Sequence, residues 1–181
     1  SVNSSNLNYQ AMKKFVVLFA LVFCAASGAW AQSYVFVNSE TIFKSQADYN
    51  SAIKQLDDLS AEYQKNIDDA YAELDETFNN YAAQRGYLSE TSRQNREEQI
   101  VNREKEIKKY QQDVFGPEGE LMKKRIELIK PIQERVFAAI NKYAETNNLG
   151  MVVDRANNQT LLYYQPALDK TDEIIKMLNN N

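Results

Sequence analysis

The sequence predicts a mainly α-helical chain in which a long antiparallel helical hairpin projects from a small β body. Three observations predict it. No glycine or proline lies between Gln32 and Arg85, so nothing punctuates a helix there. Leu56, Leu59, Tyr63, Ile67, Ala70, Leu74, Phe78 and Tyr81 are spaced 3, 4, 4, 3, 4, 4, 3, an eleven-residue repeat that keeps one apolar stripe in register along a nearly straight rod. Short apolar runs rich in β-formers stand only near the two ends, at Tyr34–Val37, Met151–Val153 and Thr160–Tyr164.

The first element is a targeting segment. Met12-Lys13-Lys14 is a basic start, Phe15 to Ala26 an apolar run, and Ala29-Trp30-Ala31 a small-x-small cleavage site, so the working chain is expected to begin at Gln32. Residues 1–11 precede that start and are set aside. The alternatives are a retained anchor, for which the apolar run is short, and a lipoprotein at Cys24, which bulky Phe23 precedes. Residues 1–31 carry Lys13 and Lys14 and no acid. Their removal leaves 150 residues with 19 basic and 25 acidic side chains, a charge of −6. That balance argues against a nucleic-acid binder. Cys24 is the only cysteine, so the chain beyond Ala31 must be held by packing or association, not by disulfides.

The remaining elements follow in order. Tyr34–Val37 is a strand. A first helix runs from Ser45 to Arg85, roughly 60 Å at 1.5 Å per residue, with Asp57, Asp58, Glu62, Lys65, Asp68, Asp69 and Glu73 on its polar face. Arg85-Gly86-Tyr87-Leu88 breaks it, and Ser89 or Thr91 caps the return. The return arm is polar from Ser92 to Val114, with Ile100, Ile107, Tyr110 and Val114 as a sparse stripe. Phe115–Gly119 interrupts it, with Pro117 expected to open the restarted helix. The stripe then thickens through Leu121, Leu128, Ile132, Val136, Ile140 and Tyr143, and Pro131 is expected to bend it. Two closing strands turn at Ala156–Asn158, and Thr171 is expected to cap a short terminal helix. The expected organisation is a body from 32–44 and 130–181, and a hairpin from 45–129 with its tip near 85–91. Three short strands make a small sheet with open edges, so association of several copies through the strands is expected.

Chemistry is restricted by composition. The chain has no histidine, and the part beyond Ala31 has no cysteine, which removes histidine triads, His/Cys zinc sites and thiol chemistry. No phosphate-cradling glycine loop is present, and no cofactor is expected. Adjacent carboxylates such as Asp57-Asp58, Asp68-Asp69 and Glu97-Glu98 diverge by about 100° on a helix and read as solvated charge. Asp154 reads as a strand-end residue rather than a catalyst. Asn158-Gln159-Thr160 matches a glycosylation sequon but carries no weight beside a bacterial-type signal. The chain reads as no enzyme. Tyr71 off the stripe, and Tyr87 with Leu88 at the tip, are candidate contacts for non-native polypeptide, with ordinary surface scatter as the bland alternative.

The ordered features resemble the Skp/OmpH family of periplasmic chaperones. They are Tyr34-Val35-Phe36-Val37-Asn38-Ser39 with Ile42-Phe43, a charged helical hairpin, Leu149-Gly150-Met151-Val152-Val153-Asp154, and Thr171-Asp172-Glu173-Ile174-Ile175. The arm segments Phe115-Gly116-Pro117-Glu118-Gly119-Glu120-Leu121 and Ile129-Lys130-Pro131-Ile132 look like the version of Bacteroides-type bacteria. The resemblance spans residues 32–181. It implies a homotrimer whose strands form a barrel-like body, with Val35, Val37, Phe43, Val152, Val153, Leu161 and Leu162 in its core or interface. It implies an ATP-independent holdase for unfolded outer-membrane β-barrel proteins in the periplasm of a Gram-negative bacterium, without nucleic acid or stable membrane insertion. Well-known members are strongly basic. Here Arg93, Arg96 and Arg103, and Lys123, Lys124 and Arg125, are interleaved with acids, so no lipopolysaccharide site is carried over. The competing reading is a structural coiled-coil spacer of the envelope that binds one folded partner.

Overall fold

The structure is a computed structural model that describes residues 33–158 and 160–180. The signal segment, Cys24, the cleavage site after Ala31 and Gln159 lie outside the described residues. In chain order the elements are β1 (Tyr34–Val37), α1 (Ser39–Lys44), α2 (Ala47–Gln84), a 3₁₀ turn (Arg85–Tyr87), α3 (Glu90–Phe115), α4 (Glu120–Thr146), β2 (Met151–Asp154), a second 3₁₀ turn (Pro166–Leu168) and α5 (Thr171–Asn179).

The two strands pair in parallel, Tyr34 opposite Met151 through Val37 opposite Asp154. Parallel strands need a long crossover. Here the crossover is the whole hairpin, which leaves beside β1 and comes back to β2. The junction is bonded on every side. The Gly150 N–H donates to the Ser33 carbonyl at 2.8 Å, and the Arg155 N–H to the Val37 carbonyl at 2.8 Å. The far edge of β1 takes the Lys170 N–H on the Phe36 carbonyl at 2.8 Å, with Phe36 bridged to Asp169. The body core lies beneath: Val37, Ile42, Val136, Ala139 and Ile174, from β1, α1, α4 and α5.

The helix α1 was not expected from the apolar pattern. Asn38 starts it, its side chain accepting the Thr41 N–H at 3.0 Å. Ser45 and Gln46 then turn the chain into α2. Ser89 caps α3 through the Ser92 N–H, whereas Thr91 lies inside the helix. Two other expected helix starts are corrected. Pro117 stands in the turn before α4, whose cap is Gly119. Thr171 is the first residue inside α5, not its cap. The Asp169 carboxylate takes the Thr171 N–H and hydroxyl, which frees Thr171 Oγ1 to accept the Asn38 N–H at 2.8 Å.

The hairpin register reads directly from its cross-arm bonds. Asp48 pairs with Arg135, Asn66 with Tyr110, Glu73 with Arg103 and Tyr81 with Glu97. Eighteen residues of α2 separate Asp48 from Asn66, but 25 residues of the return arm separate Tyr110 from Arg135. The surplus is taken up between α3 and α4. There a Cβ on Gly116 would stand 2.4 Å from the Gln112 carbonyl oxygen, and one on Gly119 2.8 Å from that of Val114. Only glycine permits so tight a break.

Two cores hold the arms. Ala52 and Leu56 meet Ile129 and Ile132 in the inner half, and Ile67 and Leu74 meet Ile107 and Val114 farther out. The outer seam overlays a seven-residue spacing on the expected eleven-residue repeat. Ile67, Leu74 and buried Tyr81 are seven residues apart, as are Ile100, Ile107 and Val114. The eleven-residue step persists from Leu56 to Ile67 and, through half-buried Tyr63 and Ala70, to Leu74 and Tyr81. A two-helix seam needs only a narrow stripe, which a seven-residue repeat supplies. Phe78 is outside this buried set and is 52% exposed.

The third strand is also corrected: Leu161–Gln165 has no regular structure. A strand needs a neighbour's hydrogen bonds, and Asp169–Lys170 already occupies the far edge of β1. In this chain only the outer edge of β2 is left, and the segment does not reach it.

Ile174 is fully buried and Phe78 is not. Ile174→Ala is expected to cost about 2–5 kcal/mol, as for other buried Ile-to-Ala truncations, and Phe78→Ala under about 1 kcal/mol. Denaturant unfolding of both variants measures this.

Candidate functional site

The described residues include no histidine and no cysteine. No group of three or more acidic side chains there is placed to hold a metal ion. No described helix is long and apolar enough to cross a membrane. The candidate surfaces are the hairpin arms and the open side of the body.

The arms differ in charge. Helix α2 carries nine acids and two bases, whereas α3 and α4 together carry ten acids and twelve bases. The acidic arm thus lies against a slightly basic one. Glu73 pairs across the hairpin with Arg103 at 3.6 Å, and Asp48 with Arg135 at 2.8 Å. The basic clusters of the return arm are partly neutralised: Arg93 by Glu90, Lys123 by Glu120 and Lys124 by Glu127, with Arg96 and Arg125 left to solvent. Such exposed pairs each contribute little, because solvent screens them. Their number keeps the polar helix α3 helical where its apolar seam is thin.

The tip is closed by Tyr81, whose hydroxyl donates to Glu97. That hydrogen bond, and then burial, raises the Tyr81 phenol above its ordinary range. Mid-arm, the Tyr63 ring meets Tyr110 and Phe115 edge-on, at 6.4 and 6.1 Å, beside the glycine break. The stripe residues Leu56, Ile67, Leu74 and Tyr81 are buried, and Leu59 and Tyr63 half-buried. The three candidate contacts are not equivalent. Tyr87 is 94% exposed beyond the helix end, Leu88 is half-buried, and Tyr71 packs against the outer seam with part of its ring covered.

At the body, Val35 and Val37 are buried, while Phe43, Val152, Val153 and Leu161 are half-buried. Phe43 reaches both the body core and the inner arm core. Leu162 is 95% exposed. Beside β2 lies an open cavity of about 370 Å³ lined by Val37, Ile140, Leu149, Met151 and Val152. Asp154 is a clamp: it accepts from the Ser39 N–H and hydroxyl and from the Ala156 N–H. Nearby, Asp169 receives Arg155 Nε at 2.7 Å, and the Arg155 guanidinium lies 5.2 Å from the Tyr164 ring centre. The clamp was not legible beforehand, because Ser39 and Asp154 are 115 residues apart.

These bonds set an acid response. Burial raises the Asp154 and Asp169 carboxyls, but hydrogen bonds from Ser39 and Ala156, and from Thr171 and Arg155, outweigh it and leave both below the usual carboxylate range. The Arg135 hydrogen bond lowers Asp48 likewise. A depressed folded pKa means stability that is present above the unfolded value, about 3.9, and is lost as pH falls through the folded value. Thermal unfolding is expected to hold level from neutral pH to about 5 and to fall below about 4. Asp154→Asn is expected to lower stability at neutral pH and to make that fall shallower.

Comparison with known proteins follows from this geometry. A search of curated proteins gives no match to the sequence. Among solved structures, the fold matches a Caulobacter crescentus protein described as an OmpH-like outer membrane chaperone. The TM-score is 0.66 at 12% identity, over 84% of this chain and 87% of that one. Residues 33–178 match the family of OmpH-like outer membrane proteins, and the chain belongs to that family.

Proposed function

We propose that the chain is an ATP-independent holdase that keeps unfolded outer-membrane β-barrel proteins from aggregating in the periplasm. The observation that carries this is a hairpin whose arms bury only a narrow seam and leave apolar side chains along a charged, soluble rod. Membership of the OmpH-like family, and the chaperone description of the Caulobacter crescentus protein, support the same reading. Weak, dispersed apolar contacts shield a client from its neighbours and still allow release. Tyr87 and Leu88 at the tip are client contacts in this reading, and Tyr71 offers the exposed part of its ring.

We propose further that three copies associate through the body. The outer edge of β2 has no partner among the described residues, the cavity beside it is apolar, and Leu162 and Tyr163 stand in solvent. An exposed strand edge next to uncovered apolar side chains invites a second chain. Residues 32–44 and 130–181 form the trimer body in this reading, and 45–129 the arm.

The test uses the Gln32–Asn181 chain with urea-unfolded outer-membrane β-barrel proteins diluted into buffer without nucleotide. Suppressed aggregation of several unrelated clients, at about one trimer per client, is expected. No suppression, with tight binding to one folded envelope protein, would favour the spacer. Light scattering at micromolar concentration is expected to give the trimer mass, and Leu162→Asp to reduce it toward the monomer. Because most of the return-arm cations are already paired, holding is expected to weaken only modestly between low and moderate salt. A steep loss would mean that charge does the holding.

A further inference from the structure

We infer that Met122, Ile126 and Phe137 on α4 form a second, exposed ridge that seats the extended apolar segments of a client; this rests on the holdase reading above. Helix α4 is apolar over more of its circumference than its neighbours cover. Leu128, Ile129, Ile132, Val136 and Ala139 pack against α2 and the body. Beside that buried arc, Met122, Ile126 and Phe137 remain 42%, 54% and 53% exposed. At about 100° per residue they fall within about 60° of one another, with Gln133 between them. The ridge runs about 22 Å along α4, from the arm at Met122 and Ile126 into the body at Phe137, which also lines the cavity beside β2.

The occupant follows from spacing, area and charge. Met122 and Ile126 are about 6 Å apart along the axis, as any i, i+4 pair is, and same-face side chains of an extended strand repeat every ~6.7 Å. A strand lying along α4 thus sets its apolar side chains against the ridge without needing backbone bonds. That makes the contact tolerant of sequence, and methionine adapts its shape to varied partners. The three side chains leave roughly 300 Å² uncovered, well short of the ~800 Å² per partner that a stable copy–copy interface takes. Two of the flanking cations are paired, Lys123 with Glu120 at 2.8 Å and Lys130 with Glu134 at 3.9 Å, so the border carries little net charge apart from Arg125. Transmembrane β-strands alternate apolar and polar side chains, which gives the unfolded chain segments of this kind.

The experiment measures the affinity of a dye-labelled, urea-unfolded outer-membrane β-barrel protein for wild type and for Met122→Ser/Ile126→Ser/Phe137→Ser. Mass and helix content are read in parallel. The expected result is affinity at least about tenfold weaker at unchanged mass and helicity, with Val101→Ser, an exposed apolar residue off the ridge, binding as wild type. Phe137 also touches Phe43, with ring centres 6.4 Å apart. If the triple variant loses helix, the Met122→Ser/Ile126→Ser pair decides, with a several-fold loss expected. Equal affinity in a folded ridge variant overturns the inference and leaves the holdase reading standing. A fall in mass overturns it differently, by making the ridge a contact between copies. A wild-type chain that holds no client overturns both.

Discussion

The parallel pairing of Tyr34–Val37 with Met151–Asp154 is the constraint on which the rest of the structure depends. It makes the intervening chain leave at the Val37 end of the pair and return past it to the Tyr34 end, beside which Met151 lies. An antiparallel hairpin does this at any length, which is how so small a body can carry arms of this size. The pairing also fixes where the arms start, through the Asp154 clamp on Ser39 and the Thr171 hydroxyl on Asn38. Once both ends are fixed, the surplus residues of the return arm must be absorbed somewhere along it. Gly116 and Gly119 absorb them in one tight break between α3 and α4.

Beyond the base, the arms are held by thin apolar seams and by complementary charge. The outer half buries Ile67, Leu74, Ile107 and Val114 and little else. A seam this narrow leaves most of each helix to solvent, and the many i, i+4 ion pairs make that exposure tolerable. The same economy leaves apolar side chains uncovered on α4 and at the tip. These uncovered side chains are the surface on which the proposed holding rests.

Much of the hairpin was legible in the sequence, because missing glycine and proline mark a long helix as clearly as periodicity does. Its break, its tip and the two paired strands were readable for the same local reasons. The seam period was not. Leu56 to Tyr81 satisfies an eleven-residue pattern, and only the partner helix selects Ile67, Leu74 and Tyr81 from it while leaving Phe78 outside. The Thr160–Tyr164 run has strand composition but no free neighbour within the chain. Composition records what a segment can do, and an available edge decides whether it does so. The cap of α5 was misplaced by one residue: Lys170 stands there without a side-chain bond, and Asp169, which also binds Arg155, takes the Thr171 N–H.

The central claim is that a fixed base carries arms that do the holding. Amide hydrogen exchange, recorded on the chain alone and with a bound unfolded barrel protein, tests it most directly. The account predicts the slowest exchange at Val35–Val37 and Val152–Asp154, unchanged by the client, with added protection along the client-facing side of the arms. Protection gained at the strands with the arms unaltered would contradict it.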